Sequence, residues 1–381
     1  MDHGTRADQH RAVWNRVVWN AAALVCAGQA HAADLTFDAN GASPPDPVGT
    51  GAWETTAASW FDGAGFRAWD NTGLHRAVFG APGTVTLATP IVAGSLDFRA
   101  DTTLSGSYLL TLAGTRGITL GEHATAAISA PLTGGFRLSG AATGLLQITG
   151  NNAGLYAGTT VLGRGPRLQL GHASALGSGT HADALVLEDG ARLEFANAAT
   201  YAYDYTLTGG TARIVPRASS GVFSGAPTLT APTTLVYGAA NTGSQDWKGR
   251  LADTGPHALS FTVEAAEGYG PTLFAPNAWS GDTRLRSGQL ALANAAALSP
   301  DTAVVFDGIG EVQATLVFNY GGTFARTLGH GPGQFRWEGS GGFRSNVGTM
   351  TVSFDGDAPL TWGAGGFVPD GRSLHVGAAS Y

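Results

Sequence analysis

Cysteine is almost missing from this chain: its 381 residues hold one, Cys26. A lone cysteine closes no intrachain disulfide, so stability has to come from packing and backbone hydrogen bonds. Charge is scarce as well, at 13% of residues against roughly 25% in ordinary soluble domains. Lys248 is the only lysine and the net charge is −7, which argues against a nucleic-acid binder, whose footprint would be basic. No apolar run reaches the ~20 residues that a membrane-spanning helix requires. Helical patterning is confined to Ala293-Asn-Ala-Ala-Ala-Leu298, enough for one short turn before Pro300 stops it. Several catalytic signatures are also missing. There is no G-x-S-x-G nucleophile elbow, no phosphate-cradling glycine loop and no H-E-x-x-H, and the ten histidines never take a metal-ligand spacing. Catalytic, cofactor-binding and metal residues are therefore all expected to be none, and the chain is not expected to be an enzyme.

What is present points to short strands. Glycine, at 57 residues, is about twice its usual share of roughly 7%, and hydrophobic content is 43%, ample for a packed core. Thr84-Val-Thr-Leu87, Gly94-Ser-Leu-Asp-Phe98, Gly117-Ile-Thr-Leu120, Leu145-Leu-Gln-Ile-Thr149 and Ala191-Arg-Leu-Glu-Phe195 each alternate, or nearly alternate, apolar with polar residues. Each is bounded by turn formers, the pattern of a half-buried strand. Such strands are too short to stand alone and too closely spaced to leave room for helices. The fold is expected to be all-β. A parallel β-solenoid with about 20 to 25 residues per coil and ~4.8 Å between coils accommodates these strands better than a sandwich of Greek keys.

A longer unit recurs. Tyr156-Ala-Gly-Thr-Thr160 followed by Arg167-Leu-Gln-Leu170 and Ala175-Leu176 is matched by Trp279-Ser-Gly-Asp-Thr283, Gly288-Gln-Leu-Ala-Leu292 and Ala297-Leu298. Recurrence of strand and glycine turn is the mark of a stacked architecture. The two units lie within residues 117–180 and 255–300.

The amino terminus reads as an address. Arg6, Arg11 and Arg16 precede the apolar Val17–Ala27, and Ala30-His31-Ala32 supplies a small-residue cleavage pattern. Residues 1–32 are expected to be a signal peptide cut near Ala32. Residues 33–80, with Trp53, Trp60 and Trp69, are expected to cap the solenoid, although tryptophan faces also stack on sugars. Residues 81–381 are expected to form the solenoid itself.

Some polar groups merit separate weighing. Asp355 and Asp357 could pair as a cation or glycosidase site, but an Asp-Gly turn explains them more simply. Glu264 with Glu267 reads as an exposed corner. Tyr201, Tyr203 and Tyr205 are expected on one strand face, as an inter-coil ladder or a ligand patch. Asn151-Asn152 is a turn signal, though asparagines also ladder in solenoids.

Ala127-Ile-Ser-Ala-Pro-Leu-Thr-Gly134, Leu146-Gln-Ile-Thr-Gly-Asn-Asn152, Tyr156-Ala-Gly-Thr-Thr160 and Leu168-Gln-Leu170 together resemble the autotransporter-associated β-strand repeat. The second copy departs upstream, where Ala275-Pro-Asn277 replaces the Gly-Asn-Asn element. Arg16-Val-Val-Trp-Asn20 is similar to extended signal peptides of type V secreted proteins. The resemblance implies a right-handed parallel β-helix passenger of a Gram-negative autotransporter, secreted or held at the cell surface and outer membrane. It implies a non-catalytic adhesion or cell-contact role toward host or neighbouring-cell surface molecules or polysaccharide. No cofactor and no nucleic acid are expected, and membrane contact only through a C-terminal barrel. That barrel is not recognisable before Tyr381, so the chain is expected to be a truncated product or a fragment. A carbohydrate-active enzyme on the same helix and an inert stalk are the alternatives.

Overall fold

The computed structural model describes residues 32–41, 47–178, 185–218, 221–239, 245–308 and 314–377. The expected signal peptide, with Cys26, lies outside the described residues apart from Ala32. Within them the chain is a parallel β-solenoid with almost no helix, as the alternation requires. The strand Thr125–Ile128 shows why. Ala126 and Ile128 are buried while Ala127 between them is half-exposed, and the same alternation holds in Leu145–Ile148 and Arg167–Leu170. Period-2 patterning sends every second side chain inward, and burying a leucine or isoleucine there contributes about 1.5–3 kcal/mol.

Three faces wind about the core. The first runs from Asp34–Phe37 through Arg76–Phe79, Arg137–Gly140, Thr160–Leu162, Leu185–Leu187 and Tyr205–Leu207 to Pro227–Leu229. The second runs from Gly51–Trp53 to Phe335–Trp337 and is the most continuous. One register column on it joins Thr102, Ala126, Leu146, Leu168, Leu193, Ile214, Tyr237, Val263, Leu285, Phe306 and Trp337. Coils thus run from 20 residues (Ala126 to Leu146) to 26 (Tyr237 to Val263). A longer coil of 31 separates Phe306 from Trp337. The third face is a ladder of 91–93, 110–112 and Leu132–Thr133 near the start, and resumes at Thr200–Tyr201. It then continues through Gly221–Phe223, Gln245–Trp247 and Pro271–Leu273 to Leu374–Val376.

At the amino-terminal end the parallel order stops. Trp60–Phe61 pairs antiparallel with the first strand and with Phe66–Arg67, covering the edge of the first face. Trp53, Trp60 and Trp69 pack there with ring centroids 4.6–4.9 Å apart, and all three are buried. Rings hidden in this way are not a sugar-stacking platform. They close the end of the core, which is what a terminal coil needs to escape edge-to-edge pairing.

Further along, aromatic rings follow one another up the axis: Phe195, Phe223, Trp247, Phe261 and Trp279, at 4.9–6.0 Å between neighbours. The three tyrosines expected on one strand face are arranged differently. Tyr201 ends one short strand and Tyr205 begins another on the next face, with Tyr203 at the corner between. All three are buried in the core, because a corner lets successive odd residues converge on the axis. The ligand-patch reading of them is thereby excluded.

Candidate functional site

The two sequence landmarks are built alike. Asn152 is buried; its Oδ1 accepts from Leu132 N at 2.9 Å and its Nδ2 donates to Ala175 O at 2.7 Å. Asn277, in the segment where the motif departs, does the same between Leu251 N (2.7 Å) and Ala297 O (2.6 Å). Each side chain thus stitches the coil before it to the coil after it, satisfying backbone groups that would otherwise be buried unpaired.

The aromatic and the threonine correspond too. Tyr156 Oη hydrogen-bonds with Thr160 Oγ1, and Trp279 Nε1 donates to Thr283 Oγ1 at 3.0 Å. Burial pushes the Tyr156 hydroxyl above its ordinary range, so it stays protonated. Each unit closes on a tight turn, with Ala175 N donating to His172 O in the first and a 3₁₀ turn at Ala295–Ala297 in the second. The units nevertheless occupy different faces. The first supplies Thr160–Leu162 to the first face and Arg167–Leu170 to the second. The second supplies 283–285 to the second face and 288–292 to the third. The motif is rotated by one face about the axis, so these residues are scaffold and not a repeated binding site.

The outward side chains carry the polar chemistry. Thr86 with Ser105, and Thr119 with Ser139, hydrogen-bond between coils at 3.3 Å. Gln147 Nε2 donates to Gln169 Oε1 at 2.6 Å, and Gln169 Nε2 to Glu194 Oε2 at 3.4 Å. Glu194 is fully buried. Arg217 grips it with two bonds of 2.8 and 2.9 Å, while Arg192 and Arg167 lie 2.8 and 3.6 Å from it. Burial pushes the Glu194 carboxyl up, but the bonds and charge of Arg217, with the charges of Arg192 and Arg167, bring it below its ordinary value.

Higher on the same face, Glu264 bonds Arg213 at 2.6 Å and Arg286 at 3.0 Å. It is half-buried on the strand Leu259–Ala265, which corrects its reading as an exposed corner: Arg286 from the next coil and Arg213 from two coils before draw it against the sheet. Glu267 lies beyond that strand and is exposed. Arg286 also reaches Asp307, and Arg284 joins Asp307, Asp282 and Glu338. Arg336 closes this network on Asp282 and Glu338.

Asp355 and Asp357 sit in a tight turn, both with positive φ, and Asp355 Oδ1 accepts from Leu328 N at 2.9 Å. They form the turn that the Asp-Gly sequence implies. Among the described residues no group of three or more His, Cys, Asp or Glu side chains is placed to hold a metal. Two grooves lie toward the carboxyl-terminal end. One, of about 810 Å³, runs between the Ala-rich turn and the strand Gly322–Arg326. Arg326 acts there as a staple, donating to Ser299 O, Pro300 O and Gly333 O. The other, of about 620 Å³, is lined by aromatic and aliphatic groups including Trp337, Phe343 and Phe354.

Over 249 residues the chain is 31% identical to the adhesin BmaC autotransporter of Brucella suis biovar 1, an alignment covering 63% of this chain. The chain spans only 7% of that relative's length. No family model matches the chain. No solved structure matches it either.

Proposed function

We propose that the chain is autotransporter passenger, secreted or displayed at the surface of a Gram-negative bacterium, that acts without catalysis in adhesion or cell contact. The observation that carries this reading is the similarity over 249 residues to an autotransporter adhesin. The fold agrees with it: a stack of coils presents long faces, and many of its charged side chains pair between coils instead of converging in a cleft. The resemblance of residues 117–180 and 255–300 to the autotransporter-associated β-strand repeat points the same way. The partners are host or neighbouring-cell surface molecules or polysaccharide.

Comparing adhesion of cells with and without expression of the intact gene tests the role. Reduced adhesion on deletion is expected, and unchanged adhesion would leave only an inert stalk. Amino-terminal sequencing of the exported protein tests the leader, with a start just after Ala32 expected.

A further inference from the structure

We propose that the guanidinium cluster of Arg167, Arg192 and Arg217 around Glu194 is a binding site for an acidic polysaccharide lying along the second face. The assignment rests on the surface-contact reading above and names its ligand chemistry.

Charge balance singles this cluster out. Around Glu194, three guanidiniums meet one carboxylate, an excess of two positive charges. The network above it sets Arg213, Arg284, Arg286 and Arg336 against Glu264, Asp282, Asp307 and Glu338, four against four. Asp97 and Asp34 likewise balance Arg76 and Arg99, and Arg137 balances Glu188. A local excess of positive charge in a chain of net charge −7 is where an external anion gains most.

The geometry suits a linear ligand. Arg192 and Arg213 face each other in register, and the pairing of Leu168 with Leu193 sets Arg167 one rung below Arg192. The backbone positions of Arg167, Arg192 and Arg213 thus recur at about the 4.8 Å coil spacing, and Arg217 reaches Glu194 from the coil that carries Arg213. The three side chains keep 26–36% of their surface exposed, so their outer N–H groups remain open to a carboxylate or sulfate, which a planar guanidinium binds bidentately. Arg192 Nε is buried and makes no hydrogen bond although it lies 2.8 Å from Glu194 Oε1. Burial, together with the neighbouring charges of Arg167 and Arg217, lowers the Arg192 pKa against the pull of Glu194. A bound anion would relieve that repulsion. The amides of Gln147 and Gln169 continue the face with groups that suit sugar hydroxyls. Single-stranded nucleic acid is disfavoured because the outward column of Ala127, Gln147, Gln169, Glu194 and Val215 offers no aromatic ring on which bases could stack.

Binding of the purified chain to immobilised polygalacturonate, dextran sulfate, neutral dextran and duplex DNA tests the site. At about 50 mM salt, binding to a charged polysaccharide that weakens as salt rises is expected. Preference for polygalacturonate identifies a uronate ligand, and preference for dextran sulfate a sulfate ester. The double variant Arg167→Gln/Arg192→Gln removes the two excess charges and leaves the Arg217–Glu194 pair intact. It should bind about tenfold more weakly with thermal stability retained, while Arg137→Gln should bind as the native chain does. Should the double variant not fold, Arg167→Gln alone, whose contact with Glu194 is the longest, should still weaken binding several-fold. Wild-type binding no better than to neutral dextran, undiminished binding by the variants, or equal affinity for DNA would each overturn the proposal. Adhesion that persists without polyanion binding sinks this site and leaves the proposed function standing; polyanion binding without adhesion does the reverse.

Discussion

At the residue scale, Asn152 and Asn277 do what strand ladders do elsewhere, with a side chain in place of a backbone. Replacing either by alanine leaves one N–H and one C=O buried without a partner, each worth about 1–3 kcal/mol. Asn152→Ala and Asn277→Ala are therefore expected to lower stability by similar amounts, on the order of 2–5 kcal/mol, read as a shift in the urea midpoint at unchanged slope. Glu194 and Glu264 make a second residue-scale prediction. Burial pushes both carboxyls up, yet both end below the ordinary glutamate value because arginines outweigh it. Arg217 leads at Glu194, and Arg213 with Arg286 at Glu264. A depressed carboxylate pKa stabilises the fold above the unfolded value and loses that contribution as pH falls through the folded one. Thermal stability should hold from neutrality down to the unfolded glutamate value of about 4.3 and decline below it. Glu194→Gln should flatten that decline. A melting temperature unchanged between about pH 7 and pH 3 would contradict this assignment.

At the element scale, the strands are legible because burial alternates with period 2, but the corners decide where a strand turns. The strand Thr283–Leu292 serves two faces and bends at Gly288, whose φ is +74°. A Cβ there would lie 2.5 Å from Tyr269 O and 2.7 Å from Ala265 Cβ. Gly288→Val combines that clash with a left-handed backbone that β-branched residues avoid, and is expected to destabilise by more than about 2 kcal/mol. Chemical denaturation checks it, with Gly348→Ala as the comparison; that position also has positive φ but open space around its Cβ. The alternation in Leu145–Ile148 and Arg167–Leu170 is readable in the sequence for a local reason, since each residue's face follows from its neighbours. Tyr201, Tyr203 and Tyr205 defeat the same reading, because alternation holds only while the chain stays straight and a corner falls between them. Glu194 departs in another way: it points outward by period, yet Arg167 and Arg217 of the neighbouring coils, with Arg192 of its own strand, bury it.

At the scale of the whole molecule, each coil touches chiefly the coils on either side, so stability is nearly a sum of neighbouring interfaces. The buried cluster of Trp53, Trp60 and Trp69 closes one end of that stack. Trp60→Ala is expected to remove about 3–5 kcal/mol locally. Hydrogen exchange should then accelerate most in the coils through Phe98 and hardly at all around Leu285 and Phe306. Uniform acceleration along the chain would show instead that the coils unfold as one unit.

The sequence alone determined that the chain would be all-β, stacked and without an intrachain disulfide. Composition, period-2 burial and glycine turns are local properties, and a Tyr or Trp followed by Thr marks the repeated unit without reference to the fold. Only the tertiary structure decided which face each copy occupies, that Asn277 takes the role of Asn152, and that Glu194 gathers three arginines. Arg167, Arg192 and Arg217 stand on separate coils, each 25 residues from the next. Winding brings such positions together through coil length and register, and neither is written in any single strand.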